Sequence, residues 1–129
     1  MSYVPSPRGT LLVLSGPQGN HLYVIMNQAC SDGLHLMLGI SSIKPGKSHD
    51  TACEFSGGEH EFITKPSFVY YRDPLQRQSA FIARCVENGA YGVKANMDDA
   101  NFQRICEGIG KSDFIRPWAV KYAKDNGII

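Results

Sequence analysis

His21 opens one short apolar run, Ser41 and Ser42 close another, and Lys44, Lys47 and His49 follow on the next polar stretch. Imidazole has an ordinary pKa of about 6.5, so histidine suits either proton-transfer role near neutral pH. Serine hydroxyls donate hydrogen bonds to phosphate oxygens, and lysines neutralise those oxygens as mobile point charges. These residue types therefore make a compact anion site beside a group able to move protons. His60 lies on a loop that can reach the same rim, and Tyr23, Phe68, Tyr70 and Tyr71 offer rings on which an unpaired base can stack.

Each of these residues also has a plainer reading. A histidine at a strand start is commonly structural, Ser-Ser before Lys-Pro-Gly is ordinary turn composition, and loop lysines are by default solvated. Phe68 and Tyr70 fit a core as readily as a base platform. His49, Cys53 and His60 provide three potential zinc ligands, but no fourth is evident and the H-x3-C spacing suits a helix better than a strand. No metal or other cofactor is expected. The nucleophile-elbow, phosphate-loop and dinucleotide-binding motifs do not occur. Cys30, Cys53, Cys85 and Cys106 form no CxxC pair and read as reduced thiols, with Cys85 and Cys106 on buried helical faces.

Strands must position these side chains. Thr10 to Leu14 is a β-prone apolar run closed by turn residues at 15–20, and residues 21–26 form a second. Cys30 to Gly33 turns into a third strand, where Leu34, Leu36, Leu38 and Ile40 alternate with His35, Met37 and Gly39, so His35 faces away from the main core. Pro45 and Gly46 make residues 43–50 a loop. Residues 51–55 and 67–71 are predicted as the fourth and fifth strands. Asp73-Pro74 reads as an N-cap and first helical residue, opening a helix that runs through Val86. Asn96 is placed as the cap of a second helix carrying Phe102, Ile105, Cys106 and Ile109, and Ser112 opens a last one unless Pro117 marks its true first turn.

Strands followed by helices give an α+β domain: a small, strongly bent antiparallel sheet or partial barrel with C-terminal helices. With 129 residues and 14.2 kDa, one core and one domain spanning 1–129 are expected. A hydrophobic share of 43% argues against disorder, and a net charge of +1 confines any nucleic-acid site to a local patch. No apolar run approaches the ~20 residues of a membrane helix. The first nine residues lack a signal-peptide pattern, so an unexported, cytoplasmic protein with no membrane partner is expected.

The segments Gly9-Thr-Leu-Leu-Val-Leu, Asn20-His-Leu-Tyr-Val-Ile and Leu38-Gly-Ile-Ser-Ser-Ile-Lys44 resemble, in order and spacing, the start of the MazF/PemK toxins. The likeness extends loosely through Gly58 to Phe62 and Ser67 to Tyr70, about residues 9–72. It implies an SH3-like barrel and a toxin of a toxin–antitoxin system, a metal-independent endoribonuclease acting on single-stranded RNA. Such toxins are usually homodimers neutralised by an antitoxin protein that occupies the RNA groove. His21 stands where the family usually has arginine, Ser41 where it usually has threonine, and Leu22 where proline commonly follows. The catalytic set implied is His21, Ser41, Ser42 and Lys44, with Lys47, His49, His60 and Tyr70 binding substrate. The alternative is a non-catalytic barrel of the same kind, binding RNA or, like CcdB, a protein target.

Overall fold

The computed structural model describes residues 2–14 and 20–129. The turn expected at residues 15–20 therefore lies almost wholly outside the described residues. Six strands, β1 (Thr10–Leu14), β2 (Asn20–Ile25), β3 (Leu34–Ser42), β4 (Glu54–Phe55), β5 (Ser67–Gln78) and β6 (Tyr91–Lys94), alternate late in the chain with α1 (Ser79–Glu87), α2 (Asp99–Ile109) and α3 (Pro117–Asp125). The strands form one antiparallel sheet in the order β4-β5-β3-β2-β1-β6. The α+β class and the C-terminal helices are as expected. The sheet is open among the described residues, with β4 and β6 as its edges, rather than closed into a barrel.

Helices cover both faces. Leu22, Val24, Leu36, Leu38, Ile40, Val69 and Tyr71 pack on one side against Ile105, Cys106 and Ile109 of α2 and Ala123 of α3. Leu11, Val13, Ile25 and Met37 pack on the other against Ile82 and Cys85 of α1. His35 does face away from the main core. It is nonetheless buried, because α1 covers that side and the ring lies between the Asn27 carbonyl and the Ser79 hydroxyl.

The sequence misleads most between residues 72 and 94. Asp73-Pro74 does not start a helix; β5 continues to Gln78, and α1 begins only at Ser79. The β3–β5 register explains the proline. Gly39 pairs with Tyr70 and Met37 with Leu75, so the residues from Tyr71 to Pro74 are accommodated by a bulge. At a bulge proline's missing N–H costs no ladder bond. Strand β6 was not anticipated.

Smaller corrections have equally local causes. The fourth strand is only Glu54–Phe55, because Asp50 Oδ1 accepts from the Ala52 amide and holds the preceding residues in a turn (3.0 Å). The cap of α2 is Asp98 rather than Asn96, its carboxylate accepting from the Asn101 amide at 2.7 Å. Of the two starts considered for the last helix, Pro117 is the observed one. The Ser112 hydroxyl instead accepts from the Phe114 and Ile115 amides and donates to Asp50.

Tyr71 locks the main core. Its hydroxyl donates to the Ile105 carbonyl at 2.8 Å, and a Cβ at residue 108 would sit 2.0 Å from the hydroxyl oxygen, so only Gly108 fits beneath it. Burial raises this phenol far above its ordinary range.

Candidate functional site

The sheet face under α1 is only partly covered, and beyond the helix it opens into a cleft of about 1000 Å³. Its floor follows from the strand register, because residues directly opposite one another in an antiparallel ladder share a face. Tyr23 pairs with Gly39 and Gly39 with Tyr70, giving one cross-sheet row. One step along, Ser41 pairs with Phe68 and Phe68 with Glu54. His21, immediately past the Leu22–Ile40 pair, joins this second row beside Ser41.

Two loops wall the cleft. On one side the chain from 43 to 50 is tied down where the Ile43 amide donates to the Pro66 carbonyl at 3.0 Å; it carries Lys44, Lys47 and His49. On the other side residues 61–65 are pinned to the end of β6. There the Ala95 amide donates to Glu61 Oε1 at 2.9 Å and the His60 ring donates to the Ala95 carbonyl at 2.6 Å. The Phe62 amide donates to His60 Nδ1 at 3.0 Å, so the proton of the neutral ring sits on Nε2.

Of the eight residues given catalytic or substrate-binding roles by the resemblance, seven line this cleft: His21, Ser41, Ser42, Lys44, Lys47, His49 and Tyr70. The eighth, His60, is buried at its edge against Thr10 and Ala95 and does not line it. Its work is to hold the wall. The three residues considered for zinc also part company. His49 contacts Glu54, Cys53 is buried in the main core, and His60 faces Ala95. Among the described residues no group of three His, Cys, Asp or Glu side chains is placed to hold a metal ion.

The lining is mildly positive. Lys44, Lys47 and Lys65 stand against Glu61 and Asp73, and both carboxylates are engaged, Glu61 by the Ala95 amide and Asp73 by Arg116 at 3.6 Å. Among the described residues none of the three lysines has an ion-pair partner. Their charge is therefore directed at whatever enters. Partial burial, with smaller contributions from Tyr91 and Asp73 and opposition from Arg77, raises the Tyr23 phenol above its ordinary 10. It remains a neutral hydrogen-bond donor at physiological pH.

In comparisons with known proteins, no family model, no curated protein and no solved structure matches this chain.

Sequence reasoning missed Glu54 and Phe68 as partners of His49. The Glu54 carboxylate hydrogen-bonds His49 Nε2, and the Phe68 ring lies 5.0 Å from the imidazole, centroid to centroid. The signal available was a carboxylate five residues after a histidine across a turn, too common a pattern to stand out. Asp73 was missed because it was assigned to a helix cap.

Proposed function

We propose that the cleft binds single-stranded RNA and cleaves it without metal, as the toxin of a toxin–antitoxin system in the cytoplasm. The observation that carries this reading is the cross-sheet row of His21, Ser41 and Phe68 on the floor of the cleft, rimmed by Lys44, Lys47 and Lys65. A phosphodiester lying along the row meets a proton-transfer group, hydroxyl donors and unpaired cations together, while Tyr23 and Tyr70 offer ring faces to adjacent bases. The 2′-hydroxyl loses its proton as its oxygen attacks phosphorus, and the P–O5′ bond breaks as the leaving oxygen gains a proton. The products are a 2′,3′-cyclic phosphate and a 5′-hydroxyl. His21 takes one of these proton-transfer roles. Ser41, Ser42 and Lys44 hold the non-bridging oxygens, with Lys47 guiding the strand.

The reading keeps the likeness to the MazF/PemK toxins, whose SH3-like barrel would here be opened along one side, and with it a homodimer and a cognate antitoxin as partners. Among the described residues no helix is long and apolar enough to cross a membrane. Incubating the purified chain with mixed-sequence RNA in EDTA tests the proposal. Fragments ending in cyclic phosphate are the expected result, and RNA left intact across many substrates overturns it. A second reading, a non-catalytic domain that binds a protein, draws on Glu61 and Asp73 in the lining, which fit a mixed-charge partner better than a polyanion. Neither cleavage nor tight binding of RNA would favour that class.

A further inference from the structure

Resting on the ribonuclease reading, we infer that His49 is a second catalytic residue, a proton-transfer group working with His21, and that Glu54 is its positioning residue. The two histidines line the same cleft from different elements, His21 at the start of β2 and His49 on the loop before β4. Along the cross-sheet row, Phe68 stands two strands from His21, on the order of 10 Å between backbones, and the His49 ring is held against Phe68. Two imidazoles reaching inward from that separation bracket one phosphate, as in-line attack and departure require on opposite sides of phosphorus. One of the two then takes the proton of the 2′-hydroxyl, and the other gives one to the departing 5′-oxygen.

Glu54 fixes the orientation of that ring. Its carboxylate accepts from His49 Nε2. Among the described residues Nδ1 has no hydrogen-bond partner, which leaves it free to meet substrate. No other charged group around the pair takes Glu54 from this contact. Lys44 and Lys47 lie on the same loop, Lys65 and Glu61 across the cleft, and Arg104 of α2 binds the Glu54 carbonyl rather than its carboxylate. Asp50 is turned to Ser112 and the Ala52 amide. The His49 and Glu54 side chains are 19% and 44% exposed, a setting in which an ion pair adds little to stability. Glu54→Gln should therefore fold normally.

The test is the pH profile of kcat and KM for cleavage of one RNA by wild type, Glu54→Gln, His49→Ala and His21→Ala, with thermal melting as the folding control. The wild type should be bell-shaped. Glu54→Gln should lower kcat about 10-fold with KM little changed. His49→Ala should lose about 100-fold or more and one limb of the bell, and His21→Ala should lose the other. Equal cleavage by wild type and His49→Ala, a bell kept whole in His49→Ala, or a Glu54→Gln loss that falls on KM alone, overturns this assignment while leaving the ribonuclease. No cleavage by wild type overturns both.

Discussion

On one face of the sheet Leu36, Leu38, Ile40 and Tyr71 are sealed beneath α2, α3 and the strap around Ile63. On the other, α1 covers Met37, Ile25 and Leu11 but leaves Tyr23, Ser41 and Tyr70 partly bare. Dimensions account for the difference. Six strands spaced ~4.8 Å apart span about 24 Å, whereas a single helix is about 10 Å across. One short helix cannot roof that face, while two helices and a strap can. The sealed face is a packing solution, and the half-roofed face leaves a cleft with polar and aromatic residues where a core would have aliphatic ones. Substitutions should accordingly alter stability on the first face and binding or chemistry on the second.

The largest separation should come from His21→Ala. Loss of a proton-transfer group lowers cleavage by about 10²- to 10⁴-fold, while its half-exposed position means the melting temperature should stay near that of the wild type. A melting temperature that falls with the activity would make His21 a structural residue and erase the contrast between the faces.

Gly108→Ala tests the sealed side. The new methyl would overlap the Tyr71 hydroxyl, displacing a fully buried ring and its bond to Ile105. Overpacking plus the lost bond should cost about 3 kcal/mol, a drop in melting temperature on the order of 10 °C. Measured per folded molecule at low temperature, cleavage should be retained. His60→Ala belongs to the boundary between the two regions. It removes the bond to Ala95 and the acceptor for the Phe62 amide, so a loss of about 2 kcal/mol is expected together with weaker RNA binding as the wall loosens.

Alkaline pH probes two groups of the sealed side. Burial pushes the Cys106 thiol from an ordinary 9 up to about 11 and the Tyr122 phenol from 10 up to about 12. Both groups hold their protons more tightly folded than unfolded. Their contribution is thus complete below about pH 9 and is lost as pH rises through 11 to 12. Melting temperatures taken from pH 8 to 11 should fall progressively above 9, and a flat profile would refute the assignment.

How far these features were legible in the residues differs between the regions for a physical reason. Alternation in β3 and helical spacing in α2 are local signals backed by burial, and they located the elements correctly. The pair Asp73-Pro74 carries strong local helix-start chemistry, yet tertiary pairing of β5 with β3 overrode it by placing the proline in a bulge. Strand β6 has four residues, Tyr91–Lys94, with a glycine among them, and derives its structure from pairing with β1 rather than from propensity. At the cleft, residue type together with the resemblance in strand order brought out His21, Ser41 and the lysines. The His49–Glu54 contact and the burial of His60 depend on how loops fold back, for which no periodicity exists.

Gly39→Ala should produce the smallest effect and the most discriminating one. The Tyr23 ring lies across Gly39, and a Cβ there would stand 3.1 Å from Cε2 and Cζ of that ring. A partly exposed ring at the cleft can give by a few tenths of an ångström, so the stability cost should be below about 1 kcal/mol. The ring is nevertheless part of the floor between Gly39 and Tyr70, and lifting it changes the platform offered to a base. RNA affinity should fall a few-fold while the pH dependence of cleavage stays as in wild type, because the row bearing His21 and Ser41 is untouched. If instead the substitution weakens folding as much as Gly108→Ala does, the face under α1 is packed as tightly as its opposite, and the cleft is not a surface built to receive a ligand.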